Sequence, residues 1–120
     1  MNRETKKRIK NYIEDKILTD KLFDVTVHQK RPYTCVIATI YYNDKEYIDI
    51  GFSKVMWTDE WDKERGVVIA TKRAIRQFAC DFVNGIYAKN IAQKKRQIEY
   101  LEALASKLEI EFTIEAKETK

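Results

Sequence analysis

Only Asn43 and Asp44 separate the strand-like run Tyr33–Tyr42 from a second one over residues 45–52. A two-residue connection of Asn and Asp leaves little choice but a tight antiparallel hairpin, because these residues tolerate the left-handed backbone that such turns require. The first run is rich in β-branched and aromatic residues; the second alternates, with Ile48, Ile50 and Phe52 facing one way and Tyr47 and Asp49 the other. Upstream, Phe23, Val25 and Val27 alternate on one face, and Lys30, Arg31 and Pro32 form a turn into the hairpin. These segments predict an antiparallel sheet.

Helices flank it. Over residues 3–22, Ile9, Ile13, Ile17 and Leu18 recur at helical spacing with no Gly or Pro between them. Over residues 63–87 a longer pattern sets Val67, Ala70, Ala74, Phe78, Phe82 and Ile86 on one side and Arg73, Gln77, Asp81 and Asn84 on another. Asp59, Glu60, Asp62 and Glu64 precede or open that helix, where carboxylates cap backbone amides and complement the helix dipole. Gly85 marks a break. Beyond it Ile91, Ile98, Leu101, Leu104, Ala105 and Leu108 repeat close to a heptad, a narrow stripe suited to pairing between subunits. Residues 108–114, L-E-I-E-F-T-I, read either as a further strand or as a continuation of the helix. The expected fold is α+β: an N-terminal helix, an antiparallel sheet of three or four strands, and two long C-terminal helices. Residues 1–120 form a single domain, with the helical part over 88–120 used in subunit contacts.

A chain of 120 residues with 44% hydrophobic content supports one core and no second. No apolar run approaches the length of a membrane span, and the basic start MNRETKKRIK has no apolar signal segment behind it, so the expectation is a soluble protein of the cytoplasm. Cys35 and Cys80 read as buried reduced thiols without a disulfide. A net charge of +4 and a pI near 9.0 favour an anionic partner. The basic runs Lys6, Lys7, Arg8, Lys10 and Lys94, Lys95, Arg96 read as solvated helix faces.

Several chemistries lack their residues. His28 is the single histidine, which rules out a site built on two imidazoles; with two cysteines, a structural zinc set has too few ligands, and no metal is expected. Neither a P-loop nor a dinucleotide-binding glycine turn occurs, so phosphates would fall to side chains or helix amides. The acidic residues before the helix serve as caps rather than as a general acid and base, and no enzyme activity or cofactor is expected.

What does point to a ligand is the stretch over residues 51–76, GFSKVMWTDEWDKERGVVIATKRAIR, which holds both tryptophans at a strand-to-helix junction. Trp57 and Trp61 offer flat apolar faces for stacking, and Arg65, Lys72, Arg73 and Arg76 follow at positions suited to phosphate. Lys54 and Asn84 complete the candidate set. Aromatic planes beside forked cations suit a nucleotide.

The order helix, three strands, helix, with A-T-K-R-A-I-R-Q-F-A opening the second long helix, is similar to the double-stranded RNA-binding domain over about residues 3–87. In that family basic residues at the second helix's start span groove phosphates, a part for which Lys72, Arg73 and Arg76 would be the counterparts. Here the family's short loop into that helix is replaced by K-V-M-W-T-D-E-W-D-K-E-R-G, whose acids and indoles would crowd or repel a duplex. The strand ending G-F-S-K, the W-T-D-E-W-D-K-E-R-G junction, I-A-T-K-R-A and the long helices that follow also resemble the small phage proteins that sequester the cyclic ADP-ribose signal of bacterial Thoeris immunity. That resemblance implies a homo-oligomer that captures a cyclic ADP-ribose isomer and releases it unaltered in the host bacterial cytoplasm, with no cofactor, catalysis or membrane. The alternative is a nucleic-acid or protein interaction module resembling the double-stranded RNA-binding domain.

Overall fold

The computed structural model describes residues 2–56 and 60–118, with side chains as far as Ala103. In chain order it holds α1 (Arg3–Thr19), β1 (Phe23–Lys30), β2 (Tyr33–Tyr42), β3 (Lys45–Lys54), α2 (Lys63–Val83) and α3 (Tyr87–Glu118). The strands form one antiparallel sheet in the order β1-β2-β3. The hairpin turns where the sequence predicts, with Asn43 at φ 50° and Asp44 at φ 61°. Positive φ at both central residues matches the right-handed twist of the strands they join.

Cross-strand register decides what each face does. Val27, Val36 and Gly51 line up across the sheet, as do Val25, Ala38 and Asp49, and Phe23, Ile40 and Tyr47. This face takes α1 and α2, and it carries the main core of Ile13, Ile17, Val36, Ile40, Ile75 and Phe78 among others. Gly51 permits the close fit: a Cβ there would lie 1.8 Å from the Ala70 carbonyl oxygen. With Ala70 and Ala74 opposite, α2 settles its backbone almost onto β3.

The apolar trio of β3, Ile48, Ile50 and Phe52, therefore faces away from the main core, and Phe52 is 51% exposed. Ile37 on this second face and Ile98 on α3 are buried outside the main cluster. α3 meets both edge strands, β1 and β3, and its Tyr87 packs against the main core.

Of the two readings of residues 108–114 the helical one holds, since they belong to α3, and the described sheet has three strands. Other expectations are corrected. Helix α2 stops at Val83, Gly85 follows at φ 68°, and Ile86 is exposed rather than part of the core stripe. Asp81, expected on a polar side, is buried. The first members of the α3 stripe are partly or wholly buried within the chain itself, Ile98 most deeply. Leu104, Ala105 and Leu108 lie beyond the described side chains. No described helix is long and apolar enough to cross a membrane.

Candidate functional site

The junction between β3 and α2 is held from both sides. Asp62 caps α2 by accepting the Arg65 backbone N–H at 3.0 Å. Ser53 Oγ donates to the Gly66 carbonyl at 2.9 Å, and Gln29 Nε2 donates to both the Thr34 hydroxyl (3.0 Å) and the Lys63 carbonyl (2.9 Å). At Gly66 a Cβ would come within 2.7 Å of Thr34 Oγ1, so a bare backbone brings the helix start against the sheet. Beside this anchored turn is a hollow of about 190 Å³ whose lining includes Lys54, Met56, Glu60, Trp61, Asp62 and Arg65. Trp61 is half-buried there, and the Lys54 ammonium lies 5.4 Å from the centre of the Tyr33 ring. Among the described lining residues two cations, Lys54 and Arg65, meet two carboxylates, Glu60 and Asp62.

Two to three turns beyond Arg65 along α2 the charge balance changes. Arg73, Arg76 and Lys10 line a second hollow of about 490 Å³ with Phe52, Gln77 and Cys80, and no carboxylate lines it among the described residues. Arg73 donates to the Phe52 carbonyl at 2.7 Å. Arg76 Nε lies 3.3 Å from Glu14 Oε1, and Lys10 Nζ lies 3.8 Å from the same oxygen.

The candidate residues thus divide. Lys54, Trp61 and Arg65 share the first hollow; Arg73 and Arg76 share the second. Lys72 is exposed on α2 and lines neither. Asn84 is the C-cap of α2, its amide donating to the Cys80 carbonyl at 3.0 Å and its oxygen accepting from Lys6 Nζ at 3.3 Å. Trp57 lies outside the described residues. Cys35 and Cys80 are free thiols, and burial pushes Cys35 up to about 11.

A third charged group was not anticipated. Lys94, expected on a solvated helix face, is buried with its ammonium 2.5 Å from both Asp49 Oδ2 and Asp81 Oδ2. The remaining carboxylate oxygens are also used: Ile50 N–H donates to Asp49 Oδ1 at 2.9 Å, and Gln77 Nε2 donates to Asp81 Oδ1 at 3.0 Å. The ammonium sits 4.5 Å from the Tyr87 ring centre. Tyr87 in turn closes the open edge of β3, accepting Ile48 N–H (2.8 Å) and donating to the Ile48 carbonyl (2.9 Å). Burial raises the Asp49 carboxyl above its ordinary range, against the opposing pull of Lys94. Burial also opposes the charge on Lys94, but two carboxylates outweigh it and hold the ammonium above its usual value. The clue lay in position: Tyr87, Ile91, Lys94, Ile98 and Leu101 fall on one heptad stripe, and Asp81 follows Ala74 and Phe78 on the core side of α2. Charges on apolar stripes are the ones that find buried partners.

No protein-family model and no curated protein matches the chain. Among solved structures it is similar to one titled "Crystal Structure of Rv2632c", at 19% identity and a TM-score of 0.40, over 62% of this chain and 84% of that one.

The two hollows differ in what they can bind. The first offers an indole with a guanidinium and an ammonium, each accompanied by an acid, which suits a ring carrying both a polar edge and a single charge. At about 190 Å³ it is smaller than the roughly 300–1,000 Å³ of a site enclosing a whole small molecule. The fully bonded Lys94 cluster is instead a fastening between α2, β3 and α3.

Proposed function

We propose that this protein binds a cyclic ADP-ribose-type signalling nucleotide and holds it unaltered, blocking bacterial anti-phage immunity by sequestration. The observation that carries this reading is the convergence of Trp61, Lys54 and Arg65 on one hollow beside the anchored start of α2. Adenine gains from an aromatic face, and the adjoining phosphate gains from a guanidinium fork. One protomer's hollow takes one end of such a ligand, so the rest is covered by a second subunit of a homo-oligomer. Capture then needs neither cofactor nor bond cleavage.

The test is to incubate the purified protein with cyclic ADP-ribose isomers, remove it by filtration, and chromatograph the filtrate and the material released on heating. Depletion of the filtrate with intact recovery is expected. A changed product would replace sequestration with catalysis. Trp61→Ala should abolish depletion while leaving the circular dichroism spectrum and melting transition in place. The rival reading, binding of duplex RNA, draws on Lys72, Arg73 and Arg76, of which Arg73 and Arg76 line the second hollow while Lys72 stands apart from both hollows. No nucleotide depletion, together with RNA binding that falls steeply with salt, would favour that rival.

A further inference from the structure

The second hollow is the stronger anion site, and we propose that it binds the phosphates of a nucleoside diphosphate independently of the Trp61 hollow. Three cationic side chains, Lys10, Arg73 and Arg76, line one concavity that no carboxylate lines among the described residues. Their neighbours leave them under-neutralised: Glu14 is the carboxylate paired with both Lys10 and Arg76, and Arg73 is held by a neutral carbonyl. Like charges gathered around a single acid repel one another, and an incoming dianion relieves that repulsion.

The cations are also aimed. Arg73 is anchored through one terminal nitrogen to Phe52, and Arg76 is approached through Nε by Glu14, so other N–H groups of each guanidinium remain for a phosphate fork. Fixing the Arg73 guanidinium plane before binding lowers the ordering cost that a flexible surface arginine incurs. Their anchors come from three elements, α1 through Glu14, β3 through Phe52 and α2 through the arginines themselves, which makes this a property of the tertiary fold rather than of one helix face.

Phe52 selects for more than inorganic phosphate. Its ring belongs to the apolar set that the register turns away from the main core, it is 51% exposed, and it borders the cationic hollow. A nucleobase linked to the phosphates can cover that ring, and about 490 Å³ lies within the range of small-molecule sites.

The experiment is calorimetric titration of the full chain with ADP, and separately with inorganic pyrophosphate, at low ionic strength. Saturable binding of both is expected, tighter for ADP. Arg76→Gln and Lys10→Gln should each weaken both ligands by roughly tenfold, the scale of one lost charge-assisted hydrogen bond. Phe52→Ala should weaken ADP and leave pyrophosphate unchanged. Circular dichroism of each variant separates lost binding from lost folding; Lys10→Gln guards against an effect of Arg76→Gln on α1 packing. Absence of saturable binding to the wild-type chain would overturn the proposal. So would ADP binding that responds to Trp61→Ala but not to Arg76→Gln or Lys10→Gln, which would put the ligand in the other hollow. Failure to capture cyclic ADP-ribose would sink the sequestration reading and leave this site standing.

Discussion

Lys94 and the Lys10–Arg73–Arg76 group are both cationic, both lie against β3 and α2, and do opposite things with their charge. Lys94 is buried, and two carboxylates crowd one ammonium. Around the hollow the proportions invert, with one carboxylate between two of three cations. A charge whose partners are supplied within the fold is committed to holding elements together; a charge short of partners is available to a ligand. Basic residues counted along a sequence do not make this distinction, because it depends on which acids the fold brings near.

The comparison breaks most directly at Lys94. Lys94→Met should destabilise the fold by about 3–5 kcal/mol, because Asp49 and Asp81 would be left buried without their cation. Urea unfolding measures this, and a loss below about 1 kcal/mol would mean that the pair is solvated. Adding Asp49→Asn and Asp81→Asn to Lys94→Met should recover much of the loss by removing the uncompensated charges. The pH dependence carries the same logic. The folded-state value of Lys94 is raised above its ordinary 10.5, so its stabilising contribution is complete below that pH and is lost as pH rises through the folded value. Tyr87 is raised from 10.0 chiefly by burial, and its contribution has the same sign. Melting temperature should therefore fall on the alkaline side, and Lys94→Met combined with the two Asn changes should flatten that fall.

A smaller but still large effect is expected where α2 meets β3. Gly51→Ala would force a methyl group to within 1.8 Å of the Ala70 carbonyl oxygen, so strand and helix must part. Overpacking of this kind costs about 1–3 kcal/mol, and here backbone on both sides resists it. Because Gly51 also lines the cationic hollow, the variant should weaken ADP binding as well as stability. Tyr87→Phe comes next, removing the hydroxyl that both accepts from and donates to Ile48, with an expected loss of about 1–2 kcal/mol in the same urea measurement.

The hairpin was legible because Asn43 and Asp44 carry their backbone preference with them, and α1 because Ile9, Ile13 and Ile17 need only local spacing to mark a face. Which face of β3 meets α2 was not legible. Ile48, Ile50 and Phe52 are more apolar than Tyr47, Asp49, Gly51 and Ser53, yet the latter set faces the main helices. Three of those inward residues are there for reasons hydropathy does not register: Gly51 for close approach, Asp49 for Lys94 and Ser53 for the Gly66 carbonyl. In the candidate site, Trp61, Lys54 and Arg65, neighbours of one junction in the sequence, share one hollow. Arg73 and Arg76 group with them by sequence proximity alone, although two to three turns of helix carry them to a different hollow. Lys10, nearly seventy residues away in the chain, could join them only through the packing of α1 on α2.

The smallest expected stability effect is the one that separates the two kinds of cation most sharply. Arg76→Gln removes an ion pair whose guanidinium side is 63% exposed, and exposed pairs contribute about 0–1 kcal/mol. Glu14 keeps Lys10 at 3.8 Å, which limits the cost of its more buried carboxylate. Arg76→Gln should therefore unfold in urea almost as the wild type does while binding ADP roughly tenfold more weakly. A loss of several kcal/mol would instead place Arg76 with Lys94, as a cation committed to the fold, because only a charge desolvated on both sides of its pair can cost that much to remove.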